Sequence, residues 1–409
     1  MDVKRVLYLS YDGMTDPLGQ SQVLPYLLGL SRNGYQFVLI SFEKPERFER
    51  NKAAIEKICN ENNIEWHPLI YTKTPPVFST LKDIRALKSK IKELHPANGF
   101  DIVHCRSYIT ALAGLWMKRK WGVKFIFDMR GFWADERIDG GLWNLKNPLF
   151  KYVYRFFKKR EKEFLLRADH TISLTGSAKK EIESRDKKKK FAPIEVIPCC
   201  ADLELFDPAV ITIAQTEQLK EQLNIKQGQK VISYIGSIGT WYLLSEMLDF
   251  FKAFLQECKD AVFLFITKDD RQMIEKAVRE KKIPLSAVCI VAGERAQMPL
   301  LISASDYSLF FIKPSYSKKA SSPTKQGEIM AMGIPVICND KVGDTSAIVE
   351  KYHSGVVVKE FSEEAYKKAI QQLLHTDFDK AAIRQGAEDF YSLERGVEKY
   401  NGVYEKIGV

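Results

Sequence analysis

Short, almost uninterrupted apolar runs recur along the chain, each closed by polar residues and most followed by a helical pattern. In the first half they are Val6–Ser10, Phe37–Phe42, Ile102–Cys105 and Phe125–Phe127. In the second half they are Val231–Ile235, Val262–Ile266, Val288–Val291, Tyr307–Ile312 and Pro335–Cys338. Runs of this length without polar alternation are strands buried on both faces, and strands alternating with helices build a parallel sheet. The helical pattern at Val23, Leu27, Leu28 and Leu30, stopped by Asn33-Gly34, fits the first crossover. The array restarts after a join that runs from Val196-Ile197-Pro198 to Asp207-Pro208. The expected architecture is therefore α/β, with two Rossmann-like domains at 1–205 and 206–390 and a terminal segment at 391–409. A chain of 409 residues accommodates two such cores. In open α/β sheets ligands bind at the C-terminal ends of the strands, so function is sought in the strand-end loops, across a cleft between the two domains.

The composition narrows the chemistry. Seven cysteines include no Cys-x-x-Cys pair, only the vicinal Cys199-Cys200, which reads as reduced thiols in a cytosolic protein. Six scattered histidines suggest no metal site. The longest uncharged stretches, Ser107–Met117 and Ile329–Asn339, are too short to span a bilayer, and the start of the chain lacks the apolar core of a signal peptide. The formal net charge is +10, and Lys151–Lys190 alone holds 14 basic and 6 acidic residues. Such a local excess calls for a local anionic partner.

Several segments carry candidate chemistry. Ser321-Ser322-Pro323-Thr324-Lys325-Gln326-Gly327-Glu328 opens a helix that ends at Gly333. Ser322 is read as its N-cap and Pro323 as its first residue. The free N–H groups there and Lys325 would hold a phosphate, and Glu328, one turn on, would accept from ribose hydroxyls. The bland alternative is an ordinary capped helix. Gly236-Ser237-Ile238-Gly239-Thr240 follows a strand, and its glycines would let backbone approach a phosphate; alone it is also a common strand-to-helix turn. In the first half, Tyr11-Asp12-Gly13 and Gly19-Gln20-Ser21 form a similar loop for an acceptor or a phosphate.

Phe127-Asp128-Met129-Arg130-Gly131-Phe132-Trp133-Ala134-Asp135-Glu136-Arg137 packs charges among aromatics directly after a buried strand. Arg130 would neutralise a phosphate or bind a sugar and Asp128 would accept from hydroxyls; otherwise the two form an ion pair that holds the loop. His104 and Arg106 end the neighbouring strand. In Lys151–Arg167, Leu149, Val153, Phe156, Phe157 and Phe164 lie near one helical face ringed by cations. This suits an anionic membrane surface, unless the aromatics pack on the sheet. No nucleic-acid motif accompanies the charge.

At these residues the chain resembles family 4 glycosyltransferases of the GT-B fold, of the type that builds bacterial cell-surface polysaccharides. The resemblance rests on Asp12-Gly13…Gly19-Gln20-Ser21, Asp128-Met129-Arg130-Gly131-Phe132-Trp133, Val196-Ile197-Pro198…Asp202…Phe206…Pro208 and Ser322-Pro323-Thr324-Lys325…Glu328…Gly333-Ile334-Pro335-Val336. The tail Tyr391-Ser392-Leu393-Glu394…Tyr400…Tyr404 also fits. It implies a retaining, metal-independent transferase that works on the cytoplasmic face of the inner membrane. The last helix would cross back to the first domain. A UDP- or GDP-linked nucleotide sugar would sit on Gly236, Ser237, Gly239, Thr240, Lys313, Ser322, Pro323, Thr324, Lys325 and Glu328. A polyprenyl-diphosphate-linked saccharide acceptor would sit on Asp12, Gly13, Gly19, Gln20, Ser21, His104, Arg106, Trp133 and Glu136. Catalysis would fall to Asp128, Arg130, Lys325 and Glu328.

Three positions depart from the family pattern. Ala320 stands where the first glutamate of the Glu-x7-Glu motif belongs, with Glu328 as the second. The Arg and Lys usual after the second domain's first strand are replaced around Ser237 and Tyr242, so Lys325, with Lys313, Lys318 or Lys319, would supply the phosphate charge. Arg130 stands at the usual histidine. These departures keep two other readings open: a nucleotide-sugar epimerase of the same architecture, and a non-catalytic nucleotide-sugar-binding partner. A dinucleotide oxidoreductase is disfavoured, because neither half opens with Gly-x-Gly-x-x-Gly.

Overall fold

The computed structural model describes residues 4–188 and 190–408. The chain divides into two compact units, Met1–Pro198 with Leu393–Val409, and Cys199–Ser392. The joins expected at 205/206 and 390/391 thus lie at 198/199 and 392/393.

The first unit is a seven-stranded parallel sheet of β1 (Lys4–Ser10), β2 (Tyr35–Glu43), β3 (Glu65–Ile70), β4 (Ile102–Arg106), β5 (Lys124–Asp128), β6 (His170–Ser173) and β7 (Ile194–Val196), in the order β3-β2-β1-β4-β5-β6-β7. The second is a six-stranded parallel sheet of β8 (Val231–Ile235), β9 (Val262–Ile266), β10 (Val288–Val291), β11 (Tyr307–Phe310), β12 (Val336–Asn339) and β13 (Gly355–Val358), in the order β10-β9-β8-β11-β12-β13. Both orders reverse direction beside the first strand, between β1 and β4 and between β8 and β11, which is where doubly wound sheets hold ligands. All five residues of β8 and of β9 are buried, as expected for central strands covered on both faces.

The Leu393–Ile407 helix completes the first unit. It buries Tyr400, Val403 and Tyr404, and Gly29 of the Leu24–Ser31 helix admits Val397 where a methyl group would lie 2.5 Å from its side chain. Tyr26 meets Tyr400 edge-on at 5.2 Å. Gly19, Gln20 and Ser21, expected in a loop, lie instead in a short helix, Pro17–Gln22, with Pro17 in the first turn, where its missing N–H costs nothing.

The basic segment is a 20-residue helix, Pro148–Arg167, capped by the Asn147 side chain, whose Oδ1 accepts from Leu149 N at 2.9 Å. Val153, Phe157, Phe164 and Leu165 are buried, Phe156 is half-buried and Leu149 is exposed. Some of its charge is consumed internally: Lys158 pairs with Asp135 at 2.7 Å and with Glu161 at 2.8 Å, and Arg160 with Glu163 at 2.5 Å. Of the expected Lys187–Lys190 loop, Lys189 lies outside the described residues. Among the described residues no helix is long and apolar enough to cross a membrane, no group of metal-ligating side chains gathers, and every cysteine is a free thiol.

Candidate functional site

The second unit's switch point brings the Thr324–Ala331 helix against the turn that follows β8. Lys325 is buried, and its Nζ lies 3.6 Å from the ring centre of Tyr242 and 4.2 Å from that of Tyr234. A methyl group at Gly236, whose φ is +97°, would come within 3.5 Å of Nζ. Among the described residues the ammonium has no hydrogen-bond partner. Burial pushes its pKa well below the ordinary lysine value, opposed by the charges of Glu328 and Asp269. Two aromatic faces give a cation partial compensation, but they leave its N–H donors unused. An anion at this turn would satisfy them.

Glu328 is buried one turn further along the helix. Its Oε1 accepts from Arg295 Nη1 at 2.9 Å. Burial raises its pKa, and the adjacent Arg295 guanidinium and then the Lys325 charge oppose that rise. Arg295, on the turn after β10, also lies 5.4 Å from the Phe206 ring centre. Sequence reasoning did not select it, since a lone Arg in a Gly-Glu-Arg turn resembles any surface cation. Its partnership means that Glu328 is not an open carboxylate but one already oriented by an arginine.

Other donor-side expectations are corrected. Ser322 is not the helix cap. Its Oγ accepts from Cys199 N at 3.2 Å, and Pro323 occupies the cap position with no side-chain capping bond. Thr324 is therefore the first helical residue, and Gly333, with φ +67°, ends the helix as expected. The Gly236–Thr240 turn is not an empty cradle. Gly236 N donates to Ile266 O at 2.9 Å, while Asp269 accepts from Ile238 N at 2.5 Å and from Ser237 Oγ at 2.9 Å. Gly239 has φ +46° and Thr240 is exposed. Lys313 is exposed, its N–H donating to Trp241 O at 2.9 Å, and buried Lys318 places Nζ 3.7 Å from the Trp241 ring centre.

The first unit repeats this device. The turn after β1 is filled by Glu43 from the end of β2, a fully buried carboxylate that accepts from Met14 N at 2.8 Å, Thr15 N at 3.0 Å and the Thr15 and Ser41 hydroxyls at 2.5 Å. Gly13 and Gly19 are there for close packing. A methyl group on Gly13 would lie 2.7 Å from Glu43 Oε2, and one on Gly19 2.1 Å from Gly13 O. Gln20 Nε2 donates to Thr15 O and Ser21 Oγ to Pro17 O, so both side chains brace the turn.

Several acceptor-side residues are enclosed rather than open. Arg106 is buried and donates from Nε to Asp12 Oδ2 at 3.1 Å and from Nη1 to Gln22 O at 3.4 Å. His104 and Asp128 are both buried, 1% and 0% exposed. His104 Nδ1 lies 2.7 Å from the Tyr404 hydroxyl and Nε2 3.4 Å from Asp128 Oδ2, which also accepts from Tyr400 at 3.1 Å. Burial lowers the His104 pKa, with Asp128 acting against it, so the ring is neutral near pH 7. Asp128 also stands 4.0 Å from Arg130 Nη1, and Arg130 has φ +53°, a conformation rare for a side chain of its size. Trp133 is half-buried between Tyr108 and Phe157, under the Arg137 guanidinium at 4.9 Å; Glu136 is half-buried one turn along.

A family model described as Glycosyltransferase Family 4 matches residues 22–205, and one described as Glycosyl transferases group 1 matches 215–389. The chain belongs to glycosyltransferase family 4. Among curated relatives, this family-4 chain is 25% identical over 241 residues to a putative teichuronic acid biosynthesis glycosyltransferase, TuaC, of Bacillus subtilis, covering 58% of this chain and 56% of that one. The chain thus spans a little over half the length of that relative. The fold is GT-B, as in a glycosyltransferase from Rickettsia africae (TM-score 0.72, 17% identity, 100% and 99% of the two chains). The Anabaena protein HepE, solved with UDP and glucose, is also similar (TM-score 0.68, 11% identity, 98% and 99%). Membership places the Lys325 turn in the unit matched by the group 1 model.

Proposed function

We propose that this glycosyltransferase moves a sugar, with retention and without a bound metal, from a UDP- or GDP-linked donor to a polyprenyl-diphosphate-linked saccharide in cell-surface polysaccharide assembly. The observation that carries the reading is the buried Lys325 ammonium, without a hydrogen-bond partner among the described residues, against Gly236 at the switch point. Breaking the anomeric C–O bond leaves positive charge on the sugar and negative charge on the departing diphosphate. Lys325 stabilises that diphosphate, an electrostatic contribution realised most fully as the charge develops. The acceptor hydroxyl attacks the anomeric carbon from the face the diphosphate leaves. Its proton passes to a leaving phosphate oxygen. Glu328, oriented by Arg295, accepts from the ribose hydroxyls. A UDP complex of the similar HepE and the teichuronic acid assignment of TuaC support the donor class and the polymer class.

The reading places the enzyme on the inner face of the cytoplasmic membrane. Lys151, Arg155, Lys159, Lys162 and Arg167 are all exposed on the Pro148–Arg167 helix, and Tyr152 and Leu166 are exposed beside them. Tyr152, Arg155, Lys159, Lys162 and Leu166 recur at helical spacing on one face, a pattern that suits an anionic lipid surface.

The test is consumption of labelled UDP- and GDP-sugars without added metal, with and without a prenyl-diphosphate-linked saccharide. Acceptor-dependent consumption supports the transferase. Acceptor-independent interconversion of the sugar supports the epimerase. Binding without turnover supports a non-catalytic partner, the outcome that the alanine at position 320 would explain.

A further inference from the structure

Beside the turn after β1, the first unit encloses an open cavity of about 480 Å³. Ile84 of the Phe78–Asn98 helix, Leu112 of the Ser107–Trp121 helix, Trp133, Trp143 and Phe156 are among its walls, and its lining is mostly apolar. Two of the lining residues are themselves exposed, Leu81 47% and Leu149 47%, and Phe78 (67%) and Leu142 (60%) stand next in sequence to the lining residues Val77 and Trp143. Soluble proteins seldom leave so many large apolar side chains in one neighbourhood without a ligand or surface to cover them. Two features fix the polarity of an occupant. Lys73 and Arg137 line the cavity, so cations stand among the hydrocarbon walls. Tyr11 also lines it, one residue before Asp12 in the acceptor turn, and Trp133 belongs to the acceptor segment.

We infer that this cavity holds the first isoprene units of the acceptor's prenyl chain, with Lys73 and Arg137 meeting its diphosphate. The inference rests on the lipid-linked acceptor of the proposed function. The chemistry required is a hydrocarbon chain ending in two phosphates, which a free sugar or a soluble oligosaccharide does not offer. The hydrocarbon gains free energy by leaving water for an apolar site. The charge complementarity sets its direction, with the saccharide end toward Asp12.

The probe is geranylgeranyl diphosphate, titrated into the full chain against inorganic diphosphate and against anionic phospholipid vesicles. The expected result is at least tenfold tighter binding of geranylgeranyl diphosphate than of inorganic diphosphate. Ile84→Trp, which fills the cavity, removes that advantage and leaves inorganic diphosphate unchanged. Leu149→Asp, at an exposed residue of the lining, does the same without adding bulk to the cavity, which covers the case in which Ile84→Trp folds poorly. Equal affinity for the two diphosphates, or an advantage that survives both variants, overturns the inference. Weakened vesicle binding with unaltered geranylgeranyl diphosphate binding also overturns it, since the occupant is then a phospholipid chain. A chain that glycosylates a tail-free saccharide diphosphate but ignores the prenyl group loses this inference and keeps the transferase; one that turns over no donor loses the transferase.

Discussion

The Lys325 ammonium caps the Tyr242 ring at 3.6 Å. Tyr242 stands in the segment where the family usually carries a lysine, so the positive charge at the end of β8 arrives from a different element, the helix that begins at Thr324. Aromatic rings take the space a longer cation would fill and guide the substitute cation toward Gly236. A buried cation thus stands at the second unit's switch point beside Gly236, with two aromatic faces against it.

Removing the uncompensated cation should stabilise the protein. Lys325→Met keeps most of the packing volume and eliminates a buried, unsatisfied ammonium, a group that costs about 1–3 kcal/mol when left unpaired. The variant should show a higher Tm than the wild type in the absence of nucleotide. An unchanged or lower Tm means that Lys325 is compensated in the free protein.

Nucleotide binding should take up a proton. Burial lowers the Lys325 pKa, and an anionic diphosphate beside Nζ raises it again. Between the free-protein pKa and the ordinary lysine value of 10.5 the free protein lacks a proton that the complex holds, so affinity falls as pH rises through that window. Calorimetry of UDP or GDP binding in buffers of different ionisation enthalpy should report the uptake, and Lys325→Met should abolish it.

Arg295 and Glu328 should act as a unit. In the four members of an Arg295→Ala, Glu328→Gln cycle, nucleotide affinity should deviate from additivity by about 0.5–3 kcal/mol, the range for contacting residues. Additive losses mean that the 2.9 Å pair does not orient Glu328 for the nucleotide.

The first unit should be acid-labile. Burial lowers the pKa of His104 and His170, so each is less protonated in the folded state than in the unfolded chain. Below the unfolded value near 6.5 the unfolded chain binds the extra protons, and stability falls with pH by up to about 1.4 kcal/mol per pH unit per histidine. Urea denaturation from pH 7.5 to 5 should show the decline, and His104→Phe should reduce it. A flat profile means the histidines titrate normally.

Much of this architecture was legible because central parallel strands are apolar on both faces. The strands that escaped notice lack that signature: β3 carries Glu65, His67 and Pro68 at a sheet edge, β6 is buried but reads His-Thr-Ile-Ser with one aliphatic residue, β7 has three residues, and β13 begins at Gly355. That Lys325, Glu328 and Gly236 belong to neighbouring strand-end segments was legible because helix-start and turn chemistry is local. Glu43, Asp269 and Arg295 were not. Each is a single charged residue whose meaning depends on a partner 28 to 33 residues away, Thr15, Ile238 and Glu328 respectively. The Pro17–Gln22 helix was hidden by its Gly and Ser content, although Asp16-Pro17 is a helix-start signal. The enclosure of His104 depends on Tyr404, 300 residues downstream, which no local pattern reports.

The most direct test of the central claim is calorimetric titration of UDP, GDP, uridine and guanosine into the wild type and Lys325→Met without added metal. The account predicts that one diphosphate binds the wild type at least tenfold more tightly than its nucleoside. It also predicts that Lys325→Met erases that difference while binding the nucleoside as before. Equal diphosphate affinity in wild type and variant would contradict the assignment of Lys325 to the phosphates, and with it the account of how this chain holds a donor.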